Sequence, residues 1–155
     1  MELSAAGLEL IKRSEGFRAR VYRDVEGIPT IGYGHRLVRN EAFEDGISEA
    51  QATAILYADV RGAEQAIARL VKVPLTQGQF DALVDFVFNL GQGRLAASSL
   101  LLELNSGRFA EAGEQLLRWD HAGAEVNAGL KARREAELRV WNGAAVEGPT
   151  QTFES

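Results

Sequence analysis

Residues 14–35 read SEGFRARVYRDVEGIPTIGYGH. Glycines at 16, 27, 32 and 34, with Pro29 among them, break any helical period here. Val21, Tyr22, Thr30, Ile31 and Tyr33 favour strands, and the intervening VEG suits a turn. The segment therefore predicts a β-hairpin, with a third short strand or turn after His35. Ahead of it, residues 4–13 predict a helix: Ser4 is a suitable N-cap, and Leu8 and Ile11 recur at helical spacing. Glu15 falls where helix gives way to hairpin, Asp24 lies near the hairpin turn, and Thr30 stands on the returning strand.

Downstream the pattern is helical. Ser48-Glu-Ala-Gln51 has the form of a capping box and predicts a long, alanine-rich helix to about Val71, ended by Pro74. Thr76-Gln-Gly-Gln79 is a second box. It opens an apolar helix with Phe80, Leu83, Val84, Val87 and Leu90 on one face and Gly91 as its stop. Further helices are expected near 94–105, 109–119 and 128–141. From Asn142 onward the sequence has no period and predicts a loose tail, residues 143–155. The fold class is α+β. A small sheet lobe at about 14–47 is joined by the helix at about 48–71 to an all-helical lobe at about 76–142, the whole forming one domain of about 1–142. A cleft between two such lobes commonly takes a ligand, and the joining helix is where a hinge is expected.

Composition narrows the function. The 155-residue chain has no cysteine and two histidines, which excludes disulfide and thiol chemistry and disfavours zinc. Residues 1–72 carry 10 basic and 11 acidic side chains and the remainder 7 and 11, so the net charge of −5 resides mainly in the C-terminal half. An acidic chain disfavours nucleic-acid binding. No apolar run approaches the roughly 18–20 residues of a membrane span. The N-terminal residues lack a basic segment followed by an apolar run, so no signal peptide is expected.

Glycosidic hydrolysis needs two carboxyl groups in different states, one protonated to donate to the leaving oxygen and one ionised. Apolar packing favours the protonated form and an exposed hairpin the ionised one. Glu15 suits the first role, Asp24 the second, and the Thr30 hydroxyl is suited to hold a water. The same residue types are common at helix ends and hairpins for reasons of solvation and turn chemistry, and spacing alone does not decide between the readings.

The pattern E-x(8)-D-x(5)-T closing in TIGYGH resembles the phage-type lysozymes of glycoside hydrolase family 24. QFDALVDFVFNLG (79–91) is similar to that family's central helix. SSLLLELNSGRFAEAGEQLLRW (98–119) and AGLKARREAELRVW (128–141) are similar to its later helices. The resemblance spans about residues 4–142. It implies a muramidase that cuts the β-1,4 bond between N-acetylmuramic acid and N-acetylglucosamine in peptidoglycan strands. Glu15 would be the general acid, Asp24 the second carboxylate, and Thr30 the residue that helps place the attacking water. It further implies inversion, with a water between carboxyls roughly 6.5–9.5 Å apart, and no metal or organic cofactor.

By the same resemblance His35, Phe88 and Ser98 lie near the substrate, His35 more as an ion pair with an acid across the lobes than as a proton carrier. Either Arg133 or Arg134 approaches Glu15. Trp119 and Trp141 are expected in packing rather than as sugar platforms, and His121 at the surface. A monomeric endolysin is expected, held in the host cytoplasm until holin-type release and then acting on the cell wall from the periplasm. The competing readings are a muramidase-like domain turned protein-binding or scaffolding module, and a hydrolase of chitin-like polymers.

Overall fold

The computed structural model describes residues 1–144 and 152–153. These form two compact units, one of 1–10 with 62–144, the other of Ile11–Arg61 with the short strand Thr152–Phe153. The boundaries fall inside two helices, α1 (Ala5–Glu15) and α2 (Glu49–Leu70).

The smaller unit holds the sheet. Strands β1 (Phe17–Arg23), β2 (Pro29–Gly32) and β3 (His35–Arg36) form an antiparallel meander, with Tyr22 opposite Thr30 and Ile31 opposite His35. The β1–β2 register slips between Arg18 and Tyr22, an irregularity of the kind that bends a strand and re-aims its side chains. Ile11, Ile31, Tyr33, Ala52, Leu56 and Val60 are buried. The Ser48 capping box is present: the Ser48 hydroxyl accepts from Gln51 N–H at 3.1 Å and the Gln51 side chain accepts from Ser48 N–H at 2.8 Å.

The expectation of a structureless tail needs correction. Thr152 and Phe153 form β6, which pairs in parallel with Phe17 and Arg18 and extends the sheet to the order β3-β2-β1-β6. A two-residue strand carries no readable period, so only the pairing reveals it. The rest of the expected tail beyond residue 144 lies outside the described residues.

The larger unit is built on α3 (Gln77–Leu90), capped at both ends as its sequence requires, by the Thr76 box and by Gly91 at φ 94°. Its apolar residues were expected on one face. Instead every residue from Phe80 to Val87 is buried, because α7 (Ala128–Trp141) and its neighbours cover the helix on all sides. Asp81 and Asp85 are therefore buried with it. Asp81 answers Ser4, which donates its hydroxyl to one carboxylate oxygen while its N–H reaches the other at 3.1 Å.

Three further differences follow from local chemistry. The helix expected at 94–105 is two, α4 (Gln92–Ala96) and α5 (Ser99–Asn105), because Ser98 stops one and N-caps the next. The helix expected at 109–119 is α6 (Phe109–Gln115) tightening into a 3-10 turn, Leu116–Arg118. The lobe is also not all-helical: β4 (His121–Ala122) and β5 (Glu125–Val126) form a tiny hairpin, with Gly123 in its turn at φ 66°.

Asp85 lies at the centre of a charge cluster in which it, Arg134 and Glu137 are fully buried. Arg133 grips it through two N–H groups at 2.7 and 3.0 Å, and Arg134 reaches Glu137 and the Asn89 side chain, both at 2.8 Å. Burial, and then the bond to Asp85 with its negative charge, drives the Glu137 carboxyl well above the usual range. Burial also pushes Asp85 up, but the Arg133 guanidinium outweighs it and keeps Asp85 ionised. Glu137 therefore carries the proton of the pair. Glu137→Gln, which resembles the neutral acid, should stay within about 1 kcal/mol of wild type. Asp85→Asn, which strands Arg133, should cost about 3–5 kcal/mol. Urea denaturation at neutral pH measures both.

Candidate active site

Helix α1 ends on Glu15. Gly16 follows at φ 74° and donates its N–H to Lys12 C=O at 2.9 Å, a left-handed stop that swings the chain into β1. The half-buried Glu15 carboxyl lies against the backbone of Gly34, itself at φ 74°. A Cβ at Gly34 would overlap a Glu15 carboxylate oxygen and stand 3.1 Å from its carboxyl carbon. Gly34 therefore meets two needs at once: the turn takes the left-handed conformation, and the acid takes the space a Cβ would fill.

Asp24 makes the hairpin turn. Its Oδ1 accepts the N–H groups of Glu26 and Ile28, each at 2.9 Å, and its Oδ2 faces the Arg36 guanidinium at 3.1 Å. The Ile28 N–H is the chief cause that holds Asp24 below the usual carboxylate range; desolvation opposes it, and the Glu26 N–H and the Arg36 guanidinium add to the lowering. Thr30 is 2% exposed and donates its hydroxyl to Ile28 C=O at 2.8 Å, so its oxygen lone pairs remain to accept. Its cross-strand neighbour Tyr22 links the two acids electrostatically. Burial raises the Tyr22 phenol, and the charges of Glu15 and Asp24 raise it further against Arg18, whose guanidinium lies 4.3 Å from the ring centroid.

Two side-chain clusters brace this corner. Both ring nitrogens of His35 are engaged, Nδ1 with Asp59 at 2.7 Å and Nε2 with Glu41 at 2.9 Å. Burial disfavours the imidazolium, but the bonds to Glu41 and Asp59 prevail and the His35 pKa is raised. Glu41 is lowered, first by the Val38 N–H and then by His35, while burial raises Asp59 despite the histidine. His35 was expected near substrate and paired with an acid across the lobes. Its two acids instead belong to its own unit, and both ring nitrogens are committed to them. In the second cluster a single oxygen of Glu49 accepts from Lys12 Nζ at 3.1 Å, Tyr33 OH at 2.8 Å and Thr53 OH at 2.7 Å.

The remaining expected residues belong to the larger unit. Phe88 is half-buried in the last turn of α3. Ser98 is 5% exposed, and its hydroxyl donates to Leu95 C=O at 2.7 Å and accepts from Leu101 N–H at 3.1 Å. Ser98 thus caps α5. Within their unit Arg133 is bound to Asp85 and Arg134 to Glu137. Trp119 packs edge-on against Phe86 at 5.5 Å, Trp141 is buried, and His121 is exposed beside Asp120. Among the described residues no group of three or more His, Cys, Asp or Glu is placed to hold a metal, and no helix is long and apolar enough to cross a membrane.

Sequence reasoning passed over Tyr22, Arg36, Glu41, Glu49 and Asp59. The hairpin register pointed to Tyr22 once Thr30 was chosen, and Glu49 directly follows the Ser48 cap. Glu41 and Asp59 sit in a loop and mid-helix, with no local signal tying them to His35.

A helix-end acid and a hairpin carboxylate thus belong to one unit of an α+β frame, and comparison with known proteins gives the class of protein. The chain belongs to the phage lysozyme family, whose model matches residues 12–137. It is 43% identical over 143 residues to the endolysin of Bacillus phage B103, covering 91% of this chain and 54% of that protein, so it spans about half the length of that relative. It is 38% identical over 137 residues to the endolysin of Salmonella phage P22, covering 86% of this chain and 94% of that one. Among solved structures, an endolysin from Escherichia coli O157:H7 phage FAHEc1 superposes with TM-score 0.87 at 32% identity, over 96% of this chain and 98% of that one.

The His35 cluster yields a pH signature. Its raised folded pKa means that its contribution to stability is fully present below the unfolded value of 6.5 and is lost as pH rises through the folded value. The melting-temperature difference between wild type and His35→Asn should therefore be largest near pH 6 and shrink above it. A thermal-unfolding series across pH tests this.

Proposed function

We propose that the chain is a peptidoglycan hydrolase, a muramidase that cleaves the β-1,4 bond between N-acetylmuramic acid and N-acetylglucosamine, of the endolysin kind. Family membership and the endolysin names of the relatives support this reading. The observation that carries it is the placing of two carboxyls of one unit in unlike surroundings. Glu15 is half-buried against glycine backbone, whereas Asp24 is tied to N–H groups and a guanidinium that keep it ionised.

In this mechanism Glu15 protonates the leaving glycosidic oxygen. Asp24 stabilises the cationic sugar or activates water, and the Thr30 hydroxyl accepts a hydrogen bond from that water. Attack from the face opposite the leaving group inverts the anomeric centre. Tyr22, kept protonated, carries no charge to compete with either acid. Activity as a monomer, after release from the host cytoplasm to the wall, completes the proposal.

Purified Gram-negative peptidoglycan provides the test, with mass spectrometry of the released muropeptides. Wild type should release products with reducing muramic-acid ends, and Glu15→Gln should lose at least about 10²-fold in rate while remaining folded. Anhydro-muramic ends would indicate a transglycosylase, and no release by folded wild type would overturn the enzyme reading. Asp24→Asn keeps the oxygen that accepts the Glu26 and Ile28 N–H groups. It should retain the hairpin, measured by its melting temperature, while activity falls about 10-fold or more from loss of the charge alone.

A further inference from the structure

The larger unit holds a cavity of about 590 Å³ to which the mechanism above gives no part. Leu90 of α3, Arg94 of α4, Arg118 and Trp119 at the 3-10 turn, His121 of β4 and Leu130 of α7 line it. The ionisable groups in that lining are all basic. Among the described residues no acid lines it, and Arg94 and Arg118 make no ion pair or side-chain hydrogen bond. His121 Nδ1 lies 2.7 Å from an Asp120 carboxylate oxygen, which leaves Nε2 open.

The surroundings make this lining distinctive. Residues 73–155 carry 7 basic and 11 acidic side chains, and the other cations among them have acids at hand. Arg108 pairs with Glu103, Arg133 with Asp85 and Arg134 with Glu137. Lys131 and Arg139 line a second cavity, of about 530 Å³, together with Asp120 and Glu135. An unpaired guanidinium is suited to a carboxylate or a phosphate, which it meets with two parallel N–H bonds. The apolar part of the lining favours the first. Leu90, Leu130 and Trp119 supply it, and the Trp119 ring is held edge-on against buried Phe86 at 5.5 Å. A carboxylate borne on small apolar groups matches that mixture better than bare phosphate. The basic side is held in place as well, because the Asn127 N–H closes the β4–β5 hairpin onto Asp120 C=O at 2.8 Å.

We infer that this cavity is a binding site for a peptide carboxylate, gripped by Arg94 and Arg118, and that its ligand is the acidic peptide that muramic acid carries in the wall. The choice of ligand rests on the muramidase reading above; the anion site does not. A chain of net charge −5 has no long-range attraction for an acidic peptide, so recognition falls to local contacts of this kind.

The test titrates the protein with the free stem tetrapeptide of Gram-negative wall, read by calorimetry and by the NMR shift of the Trp119 indole N–H. Wild type should bind with a Kd of about 1 mM or tighter. Arg94→Gln and Arg118→Gln should each weaken binding about tenfold. Both side chains are exposed, so the melting temperature should stay at the wild-type value. Arg139→Gln removes the same charge from the balanced cavity and should bind as wild type does. The tetrapeptide with its carboxyls amidated should bind about tenfold more weakly or worse. No saturable binding by folded wild type, equal binding of the amidated peptide, or an equal loss in Arg139→Gln would overturn the inference. Displacement of the peptide by an equal concentration of inorganic phosphate would overturn it too, marking a site for any anion. Glu15→Gln should bind the peptide as wild type does, which separates binding from hydrolysis. Peptide binding by a wild type that cuts no wall would remove the muramidase reading and leave the site.

Discussion

The contact between the Glu15 carboxyl and the Gly34 backbone is the constraint on which the smaller unit is built. It requires a helix that ends on an acid, a glycine that reverses the chain at once, and a second glycine on a returning turn with no Cβ to intrude. Gly16 and Gly34 meet these needs, both in the left-handed region that other residues enter only at a cost. The hairpin between them sets how far the chain travels before it comes back. Asp24, which would act as the second carboxylate, is the residue that shapes that hairpin's turn, so turn geometry and placement of the charge are one feature.

Around this corner the unit invests in ionic bracing more than in apolar bulk. Its buried apolar set is modest, and the elements flanking the sheet are joined by polar hubs: His35 between Glu41 and Asp59, Glu49 among Lys12, Tyr33 and Thr53. Fixed hydrogen bonds of this kind restrict rotamers and directions, which apolar packing alone does poorly. The larger unit makes the opposite choice at its centre. It buries the middle of α3, Phe80 to Val87, and offsets the charge this brings in: Asp85 is held by a two-pronged arginine, and Glu137 of α7 beside it retains its proton.

Much of this was legible in residue order. Both capping boxes, the Gly91 stop, the hairpin and the bounds of the last helix follow from local rules in which the signal and the element lie within a few residues of each other. The helix end that carries Glu15 and the hairpin turn that carries Asp24 were legible for a similar reason, since the two elements are adjacent in the chain. Readings failed where an element is shorter than any period, as in β4, β5 and β6, or where one serine divides a continuous apolar pattern, as at Ser98.

The sequence by itself determined the class of the fold, because caps, turns and glycine requirements act over a few residues; it offered Glu15, Asp24 and Thr30 as candidates, with their roles supplied by resemblance to a family. Only the tertiary structure decided what surrounds those residues. It made Thr30 a buried hydroxyl bound to Ile28, gave His35 two acids from its own unit, spent Ser98 on a helix cap, and gathered Lys12, Tyr33 and Thr53 onto Glu49. The physical reason is that a side chain's partners and desolvation come from elements remote in the chain, and no local pattern records which of several available donors a carboxylate will meet.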